Sequence, residues 1–301
     1  MIVTVTLNPC LDVSYDAEDL RPGAVHRVSR VRNRAGGRGL AVARLLHTFG
    51  HEVVAAGLAG GSAGELIRAD LTRAGVPAQF TRIGAESRRV VSVTDGVSGQ
   101  LTTFEEPAPY ITTEELGRLA ADYRALLDGA TAVVLCGSLP AGLPAETYGS
   151  FTSYAAEAGV PVILDAGGTA LRHGAARAPA LVIPELPAGQ AGAEAELELA
   201  GASSVVLPAH RGVRALTAAG EWRAEAGPAA SAGPGRASAA GVRDALVAGF
   251  VPGIALAWSW PDMLRHAVAL AASVSPSGEA DLAVYEELLP EVAVTGPVPA
   301  R

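Results

Sequence analysis

The stretch "AGGRGLAVARLLHTFGHEVVAAGLAG", Ala35–Gly60, holds in succession the signals that decide the fold. Gly36, Gly37 and Gly39 make a turn, the segment from Gly39 to Gly50 repeats apolar residues at helical spacing, and "VVAAGL" follows as a short apolar run. Turn, amphipathic helix and buried strand in that order are the unit of a parallel sheet covered by helices on both faces. The rhythm continues outward. Runs such as "IVTVTL", "AVVLCG", "PVILDA", "ALVIPE" and "SVVLP" alternate with "AGELIRADLTRAG" and "TEELGRLAADYRALL". Two more polar stretches interrupt it, roughly 13–34 and 80–104, the second with a "DGVSGQ" turn, and they predict strands of a small second sheet. The Gly, Ala, Ser and Pro rich segment at 226–240 reads as a flexible loop, and no internal repeat is evident. The expected class is α/β, a single domain over 1–301.

Half of the 301 residues are apolar, enough for a full core and too many for a disordered chain. The formal charge of −8 argues against a generic grip on nucleic acid or an anionic membrane, and leaves small molecules as the expected partners. No apolar run is expected to span a bilayer, and "MIVTVTLNPCLD" lacks the basic start of a secretion signal, so the expected location is cytoplasmic. Cys10 and Cys136 are too few for a disulfide framework and read as reduced, buried thiols. All 23 basic residues are arginine. The absence of lysine excludes a GxxxxGK[ST] loop, a lysine Schiff base and a protein-kinase phosphate lysine together. Phosphate chemistry in this chain falls to arginine, backbone amides and a metal.

Three places are candidates for such chemistry. Gly36, Gly37 and Gly39 lie at the mouth of a helix, where free amides and the helix dipole favour an anion or a hydroxyl-rich ligand, with Arg38 ready to hold a phosphate. A tight turn with a solvated arginine accounts for the same residues. Asp12 follows the first strand, where ligands collect in an open α/β sheet; a turn aspartate is the plainer reading. In "AGVRDALVAGF", Gly241 and the amides after it offer an anion site at a helix start, and Asp244 is placed to take a proton from an attacking hydroxyl. An ordinary first-turn aspartate fits as well. The six histidines form no ligand cluster, and Trp258 and Trp260 fall in a helical apolar stretch as core.

Taken together the stretches resemble the ribokinase-like (phosphofructokinase-B) sugar kinases, most closely their 1-phosphofructokinase and tagatose-6-phosphate kinase branch. The resemblance rests on "VTLNPCLD", "GGRGLAVARLL", "ESRRVVSVTDGVSGQLTTFEEPAP", "LCGSLPAGLP" and "PVILDAGGTAL", in the family's order and spacing over essentially the whole chain. It implies a three-layer αβα fold with a mostly parallel sheet and a small β-sheet lid at roughly 13–34 and 80–104, through which such chains often form homodimers. It implies ATP and Mg2+ as cofactors and a phosphorylated sugar or polyol as substrate. Asp12, Gly36 and Gly37 would hold sugar hydroxyls, Arg38 stands where the family has lysine, Arg88 matches the arginine that contacts the substrate's phosphate, and Asp244 matches the base. Glu185, Ala209, Gly212 and Gly241 fall on the nucleotide side, with Glu185 as the one candidate near a metal.

The departures cluster on that side. The family's GAGD reads Gly241, Val242, Arg243, Asp244, which sets an arginine beside the base and alters the anion hole; one disturbed donor there typically costs about 3 kcal/mol of transition-state stabilisation. K-P-N-x-x-E becomes Ile183, Pro184, Glu185 and then Ala188, and S-x-G becomes Leu207, Pro208, Ala209. On the sugar side Ala41, Val90 and Ser92 replace Asn, Asn and Lys. Three readings follow: an ATP-dependent sugar-phosphate kinase with Arg243 as a clamp on the transferring group, a pseudokinase in which Arg243 fills the phosphate site, and a kinase for a cyclitol or other polyol phosphate.

Overall fold

The computed structural model describes residues 1–185, 201–209, 212–227 and 238–298. The chain starts with β1 (Ile2–Thr6), β2 (Cys10–Ala17) and β3 (Arg30–Gly36), and β3 runs directly into α1 (Arg38–Thr48). There follow β4 (Val53–Ala59), α2 (Gly61–Arg73), β5 (Ala78–Arg82), β6 (Arg88–Asp95), β7 (Leu101–Glu105), α3 (Thr113–Leu127), β8 (Ala132–Cys136), α4 (Thr147–Glu157), β9 (Val162–Asp165), α5 (Gly168–Ala175) and β10 (Leu181–Val182). The last third contributes β11 (Ser204–Ala209), β12 (Gly212–Thr217), β13 (Gly220–Glu225), α6 (Ala239–Leu256), α7 (Trp260–Ala272), α8 (Leu282–Leu288) and β14 (Ala293–Val298).

Ten strands form the large sheet in the order β14-β13-β12-β11-β10-β9-β8-β1-β4-β5. From β5 to β11 the pairing is parallel, and only β12, β13 and β14 are antiparallel additions at one edge. Alternation along each central strand feeds two cores. Ile2, Ala132, Val134 and Ile163 pack towards α1, α2, α6 and α7, while Val3, Val5, Val133, Leu135 and Leu164 pack towards α3, α4 and α5. This is the three-layer αβα arrangement with a mostly parallel sheet. A second sheet of four strands, β3-β2-β6-β7, stands apart from it.

The structure corrects four expectations in detail. Residues 80–82 belong to β5 of the large sheet, because Phe80 and Thr81 are buried and pair with Gly57 and Leu58; the small sheet resumes only at Arg88. Its first strand starts earlier than residue 13, at Cys10. Trp258 and Trp260 do not share one helix: Ala257 adopts the left-handed conformation, ends α6, and Ser259 caps α7. Finally, α6 is an 18-residue helix that is long and apolar enough to cross a bilayer, contrary to the expectation that no run reaches that length. Here its residues 244–253 are all buried against its neighbours. The segment at 186–200, with Ala188, and most of the 226–240 loop lie outside the described residues.

Helices α6 and α7 meet at glycine. A Cβ on Gly249 would overlap the Cα of Ala267, so the two backbones touch where a side chain would stand. Backbone cannot yield as a flexible side chain does. Gly249→Val is expected to cost about 1–3 kcal/mol, read as a lower urea midpoint at unchanged slope.

Candidate functional site

Two groups of side chains meet at the carboxyl ends of the parallel strands, the place where open α/β sheets bind ligands. The glycine turn joins them. Gly37 (φ 121°) serves as N-cap of α1 in a conformation open to glycine, and a Cβ on Gly36 would overlap the Asp12 carboxylate. Asp12 therefore lies on the turn at one end. At the other end Arg38, the first residue of α1, reaches into the body of the protein.

The Asp12 end faces the small sheet. Register places Cys10 opposite both Gly36 and Arg88, so that Asp12, Arg34 and Arg88 share one neighbourhood. Burial pushes the Asp12 carboxyl up from its usual range, while the Cys10 thiol, which donates to Oδ1 at 3.2 Å, and the guanidinium groups of Arg34 and Arg88 pull it down. Among the described residues Arg88 makes a long ion pair to Glu105 at 3.7 Å, and its buried Nε has no hydrogen-bond partner there. Asp12, Ser14, Arg34 and Thr94 line a cleft of about 1100 Å³ to which Ser277 and Gly278 also contribute a wall. Arg34 donates to the Ser277 carbonyl and so fixes that wall.

The Arg38 end is ionic and closed. Asp165, the last residue of β9, is fully buried, and its Oδ1 accepts from Arg243 Nε at 3.0 Å and Nη2 at 2.6 Å. Arg243 Nη2 also donates to the Ile183 carbonyl at 2.7 Å. Arg38 Nη1 lies 3.4 Å from the same Asp165 oxygen and 3.1 Å from Glu185 Oε2, while its Nε is 3.6 Å from Asp244 Oδ1. The last distance is an ion pair too long for a hydrogen bond. Asp244 Oδ1 and Asp165 Oδ2 have no hydrogen-bond partner among the described residues. Burial raises the pKa of Asp244 to about 7, with Asp165 adding to the effect and Arg38 and Arg243 opposing it. Burial likewise pushes Asp165 up, against the two guanidinium groups. Tyr148, whose hydroxyl is 2.9 Å from the carbonyls of Cys136 and Gly137, braces the adjoining strand end.

The helix start differs from its sequence reading. Helix α6 begins at Ala239, two residues before Gly241, because Ser238 caps it: Ser238 Oγ accepts the Gly241 amide at 3.1 Å and Ser238 O accepts the Val242 amide at 3.0 Å. The Gly241 amide, expected to face an anion, is already used. Ala209 and Gly212 pair with each other across the β11–β12 hairpin, and none of the hydrogen bonds or ion pairs of the described residues connects them to Asp244. The glycine is needed at 212 because a Cβ would overlap the Ala224 carbonyl.

Of the expected residues, Asp12, Gly36, Gly37, Arg38 and Arg88 converge on the glycine turn and the small sheet, and Glu185, Arg243 and Asp244 converge on Arg38. Asp165 is the residue that sequence reasoning missed. The signal was present in "PVILDAGG", an acid at the carboxyl end of a buried strand before a glycine turn. A divalent cation needs several oxygen ligands turned towards it. Here Asp165 is held by two arginines, and Glu185, the candidate metal neighbour, is hydrogen-bonded to Arg38. No group of three or more His, Cys, Asp or Glu side chains among the described residues is arranged to hold a metal. The described residues do not fit a bound Mg2+.

The sequence pattern of the pfkB family carbohydrate kinases matches residues 5–283. Among solved structures the chain is similar to phosphofructokinase-2 from Escherichia coli in complex with potassium (23% identity, 96% of this chain and 98% of that one, TM-score 0.85). It is similar also to a possible 1-phosphofructokinase from Thermotoga maritima (22% identity, 98% and 99% covered, TM-score 0.82). A putative phosphofructokinase from Staphylococcus aureus gives 23% identity, 98% of both chains and a TM-score of 0.81. With the family pattern spanning nearly the whole length, and the three-layer fold and small sheet in place, the chain belongs to the pfkB family of carbohydrate kinases.

Proposed function

We propose that the chain transfers the γ-phosphoryl group of ATP to a hydroxyl of a sugar phosphate, with Asp244 as general base. The observation that carries this reading is Asp244 itself: a buried carboxyl whose Oδ1 accepts no hydrogen bond among the described residues, tuned to about 7, beside Arg38 on the turn whose other end holds Asp12. A base is most useful when its acidity lies near the working pH. Asp244 takes the proton of the acceptor hydroxyl, the freed oxygen attacks the γ-phosphorus, the bond from that phosphorus to the β–γ bridging oxygen breaks, and ADP leaves. Positive charge for the transferring group comes from Arg38, with Arg243 behind it, by positioning and electrostatics.

The acceptor lies against the glycine turn and the small sheet, which acts as a lid. Asp12 accepts from sugar hydroxyls, the Gly36–Gly37 backbone allows a ring to approach, and Arg88, whose Nε makes no hydrogen bond among the described residues, meets the phosphate already on the sugar. The names of the similar proteins, 1-phosphofructokinase and phosphofructokinase-2, favour a ketohexose phosphate over a cyclitol phosphate. ADP formation is measured with fructose 1-phosphate, fructose 6-phosphate, tagatose 6-phosphate and an inositol phosphate as acceptors. One ketohexose phosphate is expected to give ADP and a bisphosphate in equal amounts.

A second reading, a pseudokinase that binds a sugar phosphate without turnover, is favoured by Arg243 and Ser238, which occupy the Asp165 carboxylate and the Gly241 amide. Calorimetric binding of a sugar phosphate with no ADP from any acceptor selects it.

Two outcomes check the groups themselves. The rate is expected to fall about tenfold per pH unit below pH 7, as Asp244 takes up its proton, and Asp244→Asn to lose about 10²–10⁴ of it. In stability the sign is opposite: folded Asp244 holds its proton from the ordinary 3.8 up to about 7, so its contribution declines as pH rises through that window. Melting of Asp244→Asn against wild type at pH 4 and pH 7.5 should show the variant gaining relative stability at the higher pH. Arg243→Ala leaves Asp165 buried against one arginine fewer and is expected to cost about 3–5 kcal/mol, most of it recovered in Arg243→Ala with Asp165→Ala, by urea unfolding.

A further inference from the structure

The two arginines that depart from the sequence pattern, Arg38 in the glycine turn and Arg243 beside Asp244, end on a single carboxylate oxygen, Asp165 Oδ1. They arrive from different elements, the first turn of α1 and the second turn of α6, and both side chains are more than four-fifths buried. Arg38 goes on to Glu185 and Asp244, so each of the three carboxylates in the cluster already has a guanidinium against it. Arg243 spends two of its donor atoms on Asp165 and Ile183, and Arg38 spends Nη1; Arg243 Nη1 and Arg38 Nη2 make no hydrogen bond among the described residues. The three carboxylates offset the charge of the two guanidinium groups, so what the cluster offers an anion at the end of a parallel strand is the spare N–H groups of two arginines already held in place.

We propose that Arg38 and Arg243 together occupy the place of a divalent cation at this site, so that the chain binds a phosphate anion that carries no metal. A divalent ion entering here would have to take Asp165 from two guanidinium groups and then sit beside them, and like charges at such range repel strongly in a buried setting. An anion meets the opposite situation. It shares guanidinium groups that are already desolvated and held in place by the carboxylates, and no side chain must be ordered for it. The inference rests on the placing of the transferring phosphate at this cluster, and the measurements below separate the two.

Binding of Mn2+ is read by the loss of its free-ion magnetic resonance signal, and binding of inorganic tripolyphosphate by calorimetry in EDTA and in excess Mg2+. Wild type is expected to leave the Mn2+ signal unchanged and to bind tripolyphosphate at least as tightly in EDTA as in Mg2+. Arg243→Gly is expected to weaken tripolyphosphate in EDTA by about tenfold or more and to gain Mn2+ binding that is lost again when Asp165→Asn is added. Arg243→Gln, nearer in bulk, serves if the glycine variant does not fold, and the wild-type measurements decide without either. Mn2+ binding to wild type that Asp165→Asn abolishes overturns the proposal, and so does tripolyphosphate that binds only with Mg2+ or not at all. Metal-free tripolyphosphate binding without ADP formation from any acceptor leaves this proposal standing and removes the kinase reading alone.

Discussion

The buried carboxylate of Asp165 is the constraint to which the rest of the site answers. An ionised group with no exposed surface is sustained only by opposite charge and hydrogen bonds, and Asp165 obtains both from Arg243 and Arg38. Those contacts in turn fix where α1 and α6 begin relative to β9. Asp244 sits one residue after Arg243, so the arginine that neutralises Asp165 also determines where the Asp244 carboxyl points. Local electrostatics and the geometry of the layers are the same fact seen at two scales.

Around that cluster the site divides by openness. On the small-sheet side, Asp12 and Arg34 border a roomy cleft, and Arg88 on the neighbouring strand keeps an Nε that makes no hydrogen bond among the described residues. On the strand-end side, donors and acceptors are largely consumed by one another, and even the Gly241 amide is taken by a serine hydroxyl. A ligand on the small-sheet side thus meets an open cleft, whereas one on the strand-end side meets guanidinium groups already engaged with carboxylates, with Arg243 Nη1 and Arg38 Nη2 left over among the described residues. Differential occupancy of this kind is what separates the readings of the chain, because fold alone is common to both.

Much of the architecture was legible because period 2 and period 3.6 alternate cleanly: "IVTVTL", "AVVLCG" and "PVILDA" are each buried on both faces and became central parallel strands. The small sheet was legible as a break in that alternation, but its limits were not, since Phe80 and Thr81 look like any apolar-polar pair until α2 and α3 cover them. The antiparallel edge β12–β14 left little trace, because short strands around "TAAG" carry weak periodicity. At the site, the glycine turn and Asp244 could be found from spacing. The Asp165–Arg243 pair joins residues 78 positions apart, and Ser238 competes with a ligand for the Gly241 amide; neither relation is written in a local pattern.

The direct passage of β3 into α1 has a mechanical consequence. Gly37 alone separates the last residue of the small sheet from Arg38, and Asp70 on α2 accepts the Ala35 amide and pairs with Arg44, clasping both sides of the joint. Small sheet and helix are therefore two arms of one crank. A turn of the outer arm, where Asp12 rests on Gly36, would carry the start of α1 with it and shift the Arg38 guanidinium against Asp165 and Asp244.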